Sequence, residues 1–474
     1  MIEKNILWLT DSYKVTHHLQ YPRVGNVNKT TKIYSYFESR GGVTDSTCFF
    51  GLQIFLKKYL EGKVITQEAI DEAAELFKLH FGTDIYFNRK GWEYILHKYD
   101  GKLPVSIKAV PEGTVVGTHN VLMTIENTDP ECYWLTNYLE TLLVQTWYPI
   151  AVATNSMEIR KIILHALEVS GDPKTIDYKL WDFGVRGSTS PESASIGGCA
   201  HLVSSKGTDN LPAVVLAKAI YHEPCAAISI PASEHSTVTA WGKENEWEAA
   251  RNMLEQYPED ATIAFVIDSW DTIYAVETIF GGSLKGRVLH RNGTLVLRPD
   301  SGNPTGMVIQ VLNSIWNSFG GYTNAKGYKV LDNHVRIIQG DGIDKKAIKE
   351  ILDTMIACGW SADNITFGSG GGLLQNFNRD TYNMAFKCSY ACVDGKDVLV
   401  YKQPKTSSSK NSKKGRMKLT WEQCFKKYVT YTEDDMEFYD EAKDELVEVF
   451  RDGNILVDYN FDEIRKRMKE GSNT

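Results

Sequence analysis

The chain has 474 residues, with 52 Lys and Arg against 60 Asp and Glu, and a net charge of −8 at pH 7. This acidic balance argues against nucleic acid as the main partner, because a phosphate backbone requires a basic surface. No apolar segment is long enough to cross a membrane and no signal peptide is evident, so we expect neither a membrane anchor nor export. Eight scattered cysteines without a CxxC pair are typical of reduced thiols, and we expect a cytoplasmic location.

Residues 1–150 predict one part of a mixed α/β domain. Residues 31–38 alternate like a strand, and residues 104–126 predict a compact antiparallel β region. Thr66 is the expected N-cap of a helix whose apolar residues recur at helical spacing between residues 70 and 81. Residues 133–169 predict helix, interrupted at Pro149.

Residues 151–384 repeat a strand, a polar loop and a helix, which predicts an irregular β/α barrel. The predicted strands lie at residues 179–184, 227–230, 264–267, 295–297, 335–338 and 365–367. Residues 385–474 return to an antiparallel character, with strands near 398–402 and 417–420 and a flexible Ser/Lys-rich loop at 405–416. The expected fold is therefore α/β, with a barrel plus a mixed α/β domain built from the N- and C-terminal segments.

Polar residues and glycines follow the predicted barrel strands at their C-terminal ends. The loops Gly340-Asp-Gly342 and Gly368-Ser-Gly-Gly-Gly372 would let backbone N–H groups approach a phosphate, although each is also compatible with a tight turn. A set of carboxylates at the same edge could bind ribose hydroxyls or a hydrated Mg²⁺ carried by phosphates. These are Asp268, Asp271, Asp300 and Asp341. Helix N-capping is the alternative, and we expect it for Asp271.

Three further residues could carry chemistry. His235 follows a predicted strand end between Glu234 and two hydroxyl residues, which is compatible with a general base, a phosphate donor or a phosphorylated nucleophile, whereas the alternative is a structural histidine. Phe183 offers a ring for stacking and Arg186 a guanidinium for phosphate, although a core Phe and a surface Arg would look the same. Together these features indicate a phosphoribosyl or nucleotide-like ligand.

Seven motifs resemble the nicotinamide phosphoribosyltransferase family, and the similarity extends from about residue 5 to residue 466. They are DSYKVTH (11–17), NTDPECYWLTN (127–137), KGTD (206–209), PASEHST (231–237), RPDSGNP (298–304), QGDG (339–342) and FGSGGGLLQ (367–375). The resemblance implies a homodimeric type II phosphoribosyltransferase, a pentosyltransferase that joins nicotinamide to phosphoribosyl pyrophosphate and releases pyrophosphate. It also implies Mg²⁺ as cofactor and ATP as a coupling co-substrate.

The resemblance also assigns roles to particular residues. It implies that Phe183 stacks on one face of the nicotinamide ring and that Tyr13 of the partner subunit stacks on the opposite face. It also implies that Asp209 accepts a hydrogen bond from the carboxamide and disfavours nicotinate. It implies catalytic roles for His235, Asp268, Arg298 and Asp300, with His235 phosphorylated by ATP, and Asp268 and Asp300 near the metal. Further substrate-binding residues implied are Arg186, Ser229, Gly340, Asp341, Gly370, Gly371, Arg379, Lys387, Lys402 and Lys410.

A few positions depart from the family pattern. Trp181 stands where the family often has His, Val185 where it often has Tyr, and Ala385 where it has a Ser that helps to bind phosphate, while Ser233 adds a hydroxyl beside His235. Two alternative functions stay open from the residues. One is a nicotinate phosphoribosyltransferase of the same fold, and the other is a catalytically silent barrel that acts in binding or signalling.

Overall fold

The protein is described by a computed structural model that covers residues 5–25, 27–406, 411–435 and 439–472. The chain forms two compact units. The first contains residues 1–154, 220–222 and 377–474, and the second contains residues 155–219 and 223–376.

The second unit is built on a six-stranded parallel sheet whose strands are short and largely apolar. The strands are β1 (Leu180–Asp182), β2 (Gly207–Thr208), β3 (Ile263–Val266), β4 (Leu295–Arg298), β5 (Val335–Gln339) and β6 (Ile365–Ser369). Their order in the sheet is β3-β4-β5-β6-β1-β2, and every neighbouring pair is parallel. Because all six run in one direction, their C-terminal ends lie along one edge of the sheet.

The segment between β2 and β3 connects the two edge strands. Ile228 forms an isolated parallel bridge to Gly207 of β2, and Ala232 forms one to Ala264 of β3. The sheet therefore curls into an irregular barrel, as predicted. The regular strand predicted at residues 227–230 is wrong, because Pro231 has no N–H to continue a ladder and only isolated bridges remain.

Helices follow the strands of the second unit. Asp271, predicted as a helix N-cap, accepts a hydrogen bond from the backbone N of Tyr274 (2.9 Å), which confirms that prediction. The helices lie at Pro191–His201, His235–Thr239, Glu246–Gln256, Thr272–Tyr274, Ala275–Ser283 (π-helical), Lys285–His290, Pro304–Phe319, Lys345–Ala357 and Gly371–Leu374. The helix Leu211–Tyr221 belongs to this unit up to residue 219. A small hairpin pairs Gly321–Thr323 with Lys329–Leu331.

The first unit is built on a seven-stranded antiparallel sheet. In sheet order its strands are Lys396–Leu399, Met384–Val393, Thr30–Ser39, Val121–Asn127, Val105–Ala109, Val447–Arg451 and Asn454–Ile455. The predicted strand at 31–38 and the predicted antiparallel region at 104–126 are both confirmed. Smaller pairs join Arg23–Val24 to Val27–Asn28, Ser46–Cys48 to Val115–Gly117, and Met417–Glu422 to Lys427–Thr432.

The helices of the first unit confirm one local prediction and correct another. Thr66 accepts from Ala69 N (3.1 Å) and caps the helix Gln67–Phe81, as predicted. The helical stretch predicted at 133–169 is interrupted, but at residues 145–146, between the helices Leu135–Val144 and Trp147–Ser170. Pro149 itself lies in the first turn of the second helix, where a missing N–H is tolerated. Other helices are Ser12–Val15, Leu52–Phe55, Leu56–Leu60 (π-helical), Arg89–Tyr99, Leu135–Val144 and Phe461–Ser472. In the described part of the chain, every helix is too short or too polar to span a bilayer.

Candidate active site

A cavity of about 700 Å³ opens at the C-terminal edge of the parallel sheet in the second unit. It is lined by residues from every loop that follows a strand of this edge, except the loop after β3. The lining residues are Phe183, Val185, Arg186, Gly187, Asp209, Ala232, Ser233, Glu234, His235, Arg298, Asp300, Gly340, Asp341, Gly370 and Gly371. Asp268 and Ser229 do not line the cavity, but each is hydrogen-bonded to a residue that does.

Phe183 forms the apolar floor of this cavity. Its ring packs against the buried side chains Ala264, Val296 and Ile338, and its backbone N donates to Ser369 O (2.9 Å). The ring lies across Gly368 of β6, where an added Cβ would stand 2.0 Å from a carbon of the ring. Because real carbon contacts do not approach that closely, a glycine is required at position 368 for the ring to adopt this place.

A buried polar pair holds the chain on either side of Phe183. Asp182 is fully buried and accepts from Asn210 Nδ2 (2.7 Å) and from Gly184 N (2.7 Å). Burial raises the pKa of Asp182 to about 6, although both hydrogen bonds act to lower it. The backbone O of Asp182 also accepts from the backbone N of Asp209, at 3.0 Å. Asp182, the residue before Phe183, is therefore hydrogen-bonded through its backbone to Asp209, which follows β2 and lines the cavity.

Asp209 presents a carboxylate on the same wall as Phe183. Its Oδ1 accepts from the hydroxyl of Ser229 at 2.6 Å. Burial raises the pKa of Asp209, while the Ser229 hydrogen bond and the positive charge of Arg298 act in the opposite direction. A carboxylate beside an aromatic floor can accept hydrogen bonds from a planar ligand that carries N–H donors, and it repels a ligand that carries a carboxylate.

His235 is the first residue of the helix His235–Thr239, and its Nε2 lies 2.9 Å from Asp268 Oδ1. The Asp268 side chain is 6% exposed and that of His235 is 42% exposed. A largely buried carboxylate therefore orients an accessible imidazole. This is the arrangement that fixes the tautomer of a histidine acting as a base or a nucleophile.

Arg298, at the end of β4, and Asp300 place opposite charges on the cavity wall. Arg298 donates from Nη2 to Ser233 O (3.3 Å), and its Nε is buried without a hydrogen-bond partner among the described residues. Gly340 faces Asp300, since an added Cβ there would stand 3.6 Å from Asp300 Oδ1. A guanidinium, a carboxylate and bare backbone at one edge suit a phosphorylated sugar.

The remaining predicted site residues belong to the first unit. The Tyr13 side chain is exposed, and Arg379 contacts Asp380 at 3.3 Å. Lys387 is half-buried, and burial lowers its pKa, as do the charges of Arg40, Lys402 and Arg379. The negative charge of Glu140 acts to raise the same pKa, so Lys387 lies near charges of both signs. Lys410 lies outside the described residues.

Sequence reasoning missed the supporting roles of three residues, although it noted Ser233 as a hydroxyl beside His235 and Gly368 as part of a glycine loop. Asn210, Ser233 and Gly368 hold Asp182, Arg298 and the Phe183 ring, respectively. For Gly368 the available signal was the glycine run at 368–372, which was interpreted as a phosphate loop. Asn210 and Ser233 carry no pattern of their own, because their partners come from distant parts of the chain.

Comparison with known proteins gives two family matches within the chain. Residues 178–454 match the model of the nicotinate phosphoribosyltransferase (NAPRTase) family, and residues 5–107 match the model of the nicotinamide phosphoribosyltransferase N-terminal domain. A nicotinamide phosphoribosyltransferase of Xanthomonas campestris is 45% identical over 465 residues, covering 97% of both chains. One of Acinetobacter baylyi is 30% identical over 510 residues, covering 98% of this chain and 97% of the other.

Solved structures share the fold at low sequence identity. The nicotinate-nucleotide pyrophosphorylase of Pyrococcus furiosus superimposes with a TM-score of 0.62 at 17% identity, covering 99% of this chain and 96% of the other. Human nicotinic acid phosphoribosyltransferase gives a TM-score of 0.55 at 16% identity, covering 98% and 93%. Both likenesses support the predicted architecture of the chain.

Proposed function

We propose that this chain, which belongs to the nicotinamide phosphoribosyltransferase family, joins nicotinamide to phosphoribosyl pyrophosphate. The products are nicotinamide mononucleotide and pyrophosphate, a step of NAD salvage. The observation that carries the proposal is the Asp209 carboxylate on the wall of the cavity that also contains Phe183 and Arg298. One cavity therefore offers an acceptor for an amide, a ring for stacking and a cation for phosphate.

At the nicotinamide end, Phe183 stacks on the pyridine ring, and Asp209 accepts a hydrogen bond from the carboxamide NH₂. The Ser229 hydroxyl holds the Asp209 carboxylate at 2.6 Å and so fixes the direction of its second oxygen. Nicotinate would bring a second negative charge to this carboxylate. That repulsion is the reason for preferring nicotinamide to nicotinate, the substrate of the alternative function.

At the phosphoribosyl end, Arg298 and Asp300 hold the ribose and its phosphates, the pyrophosphate group included. Gly340, Asp341, Gly370 and Gly371 bring backbone close to the nucleotide, and the side chain of Arg186 is 87% exposed, which leaves it accessible to pyrophosphate. These groups clamp one flexible substrate at several points. Orienting two reactants in this way contributes several kcal/mol to catalysis, on the order of 7 or more in favourable cases.

The chemistry needs no proton transfer to begin. The lone pair of the pyridine nitrogen forms the bond to C1 of the ribose, and the bond from C1 to the pyrophosphate oxygen breaks with its electron pair leaving on pyrophosphate. Positive charge develops on the sugar and negative charge on the leaving group. Arg298 and Arg186 stabilise that negative charge, while Phe183 and Asp209 hold the nucleophile in line.

Asp268 and Asp300 are the residues that would hold Mg²⁺ together with the substrate phosphates. Mg²⁺ usually keeps several waters and binds through one or two carboxylates together with substrate phosphates, which these two carboxylates could supply. When bound, the ion would neutralise charge on the pyrophosphate.

We further propose that ATP phosphorylates His235. If the Nε2–H is directed at Asp268, Nδ1 is the unprotonated nitrogen and the nucleophile. Its lone pair forms the bond to the terminal phosphorus of ATP, and the bond from that phosphorus to the bridging oxygen breaks as ADP leaves. We expect His235→Ala to abolish ATP hydrolysis and phosphoprotein formation while weak nucleotide synthesis remains. His290→Ala, which removes an 81% exposed histidine of the same unit, is the matched control. ATP hydrolysis that persists unchanged in His235→Ala would remove His235 from this role.

A homodimer with shared active sites is also part of the proposal. Tyr13, Arg379, Lys387 and Lys402 would reach the cavity of the partner subunit, where the cations meet phosphate. Mixing Arg298→Ala with Arg379→Ala subunits should then restore activity, because each heterodimer regains one intact site. Mixtures that stay as inactive as their parents would contradict shared sites.

Dependence on ATP and phosphoribosyl pyrophosphate favours a cytoplasmic location.

The direct test of the reaction is product formation. Purified protein with nicotinamide, phosphoribosyl pyrophosphate and Mg²⁺ should yield nicotinamide mononucleotide and pyrophosphate in equal amounts, and Arg298→Ala should lose this activity. A wild-type protein that forms no nucleotide would instead support the catalytically silent barrel.

A further inference from the structure

Ser233 makes a hydrogen bond with each of its polar groups, although it stands on the cavity wall. Its backbone N donates to Ala264 O (2.9 Å), its hydroxyl accepts from Val266 N (2.8 Å), and its backbone O accepts from Arg298 Nη2 (3.3 Å). The residue is 9% exposed. Its three partners belong to β3 and β4, and it precedes His235 by two positions.

The hydroxyl replaces a backbone group in the ladder beside β3. Ala264 N donates to Pro231 O (2.8 Å) and Ser233 N donates to Ala264 O, which is the regular spacing of two parallel strands around the bridge at Ala232. In a regular parallel ladder the next donor, Val266 N, would bond to Ser233 O. It bonds instead to the Ser233 hydroxyl. The side chain therefore takes the place of the Ser233 carbonyl as acceptor.

This replacement leaves the Ser233 carbonyl available to Arg298. A buried N–H needs an acceptor, so without the hydroxyl Val266 N would either lose its hydrogen bond or draw the carbonyl back into the ladder. In the second case Arg298 would lose its bond to Ser233. Its Nε already has no partner among the described residues, so the side chain has little else to hold it in place.

The same hydroxyl fixes the loop that carries His235. Val266 ends β3, and Asp268 follows two residues later and meets His235 Nε2. The segment from Ser233 to His235 is therefore joined to the segment from Val266 to Asp268 at both ends. One hydrogen bond joins Ser233 to Val266, and the other joins His235 to Asp268. The His235 side chain is 42% exposed, so these contacts rather than dense packing hold it.

We propose that Ser233 is a positioning residue of the phosphate-binding part of the site, which acts by freeing its own carbonyl to hold Arg298. The assignment of Arg298 to a phosphorylated ligand rests on the function proposed above. The role of Ser233 goes beyond that function, because it concerns how one guanidinium is kept in its productive place.

The test measures binding of inorganic pyrophosphate with Mg²⁺ by calorimetry, so that it requires no turnover. The proteins are wild type, Ser233→Ala and Ser233→Thr, each with Arg298 and with Arg298→Gln. We expect Ser233→Ala to weaken binding about fivefold, the factor that one hydrogen bond contributes on average. Ser233→Thr retains the acceptor and should bind like wild type. In the Arg298→Gln background, Ser233→Ala should have no further effect, because the two residues act as one unit.

Two outcomes would overturn the proposal. Ser233→Ala that binds pyrophosphate as tightly as wild type would show that Arg298 does not depend on Ser233. Ser233→Ala that weakens binding by the same factor in both backgrounds would assign Ser233 a general structural role. If Ser233→Ala does not fold, Ser233→Cys replaces it, because a thiol has nearly the same shape but is a weak acceptor, and the same comparison applies.

Failure of the proposed reaction would give a different result. A wild-type protein that binds pyrophosphate but makes no nucleotide would contradict the proposed function and leave the coupling of Ser233 to Arg298 measurable. A protein that makes nucleotide normally with alanine at position 233, at an unchanged KM for phosphoribosyl pyrophosphate, would contradict the role of Ser233 and leave the function intact.

Discussion

Substitution of Gly368 by Ala tests whether the ring of Phe183 is part of the nicotinamide site. The new Cβ would lie 2.0 Å from a carbon of that ring, and two carbons in contact need about 3.5 Å, so the ring has to move by about 1.5 Å. Gly368 itself is buried at the end of β6, and the backbone on that side is held by the sheet. The ring is therefore expected to shift toward the cavity.

The consequence for catalysis follows from the lost stacking. An aromatic pair contributes about 1 kcal/mol beyond the area that it buries, so we expect KM for nicotinamide to rise about five- to tenfold. The KM for phosphoribosyl pyrophosphate should change much less. Steady-state rates at varied nicotinamide and saturating phosphoribosyl pyrophosphate measure the effect.

A matched control is available in the same unit. Gly286 lies in the helix Lys285–His290, and an added Cβ there meets no atom within 4 Å. Gly286→Ala should keep both KM values and raise stability slightly, by about 1 kcal/mol at most. A folded Gly368→Ala protein with unchanged KM for nicotinamide would refute the placement of the ring against the substrate.

Three other substitutions test separate parts of the structure. Asp209→Asn should raise KM for nicotinamide about tenfold and improve the use of nicotinate, as measured by competing the two substrates, and unchanged selectivity would contradict its role. The buried carboxylate of Glu112 accepts hydrogen bonds from Gly51 N, Gln53 N and Tyr221 OH, and burial raises its pKa to about 7. The stability of the wild-type protein should therefore fall as pH rises from 4.5 through 7. Thermal unfolding at pH 5.5 and 8 should show a smaller decline for Glu112→Gln, by on the order of 2 kcal/mol, and equal declines would contradict the assignment. Lys179→Met should cost about 3 kcal/mol of unfolding free energy in urea titrations, since Nζ donates to three backbone carbonyls, and a loss under about 1 kcal/mol would contradict that contribution.

The barrel was predictable because most of its strands are short apolar runs that are followed by a glycine or a charged residue. Five of the six predicted strands have counterparts in β1 and β3–β6. β2 escaped prediction because Gly207–Thr208 has only two residues, too few for any periodicity. The strand predicted at 227–230 fails at Pro231, whose missing N–H limits the segment to isolated bridges.

The site was predictable in its exposed residues and not in its supports. Phe183 and Asp300 follow strands, Arg298 ends one, and His235 follows the segment bridged to β2 and β3. A parallel barrel brings such residues to one edge whatever their spacing in the chain. Asn210 and Ser233 act through partners that are distant in sequence, so their roles depend on strand order and register. Neither order nor register can be deduced from a local pattern.

The preference for nicotinamide over nicotinate is the central claim, because it joins the family membership to the Asp209 carboxylate. Initial rates with phosphoribosyl pyrophosphate, Mg²⁺ and ATP should be measured for both substrates across a range of concentrations. We predict that kcat/KM for nicotinamide exceeds that for nicotinate by at least about a hundredfold, as expected when one substrate meets a hydrogen-bond acceptor and the other a like charge. Comparable values for the two substrates would contradict this account.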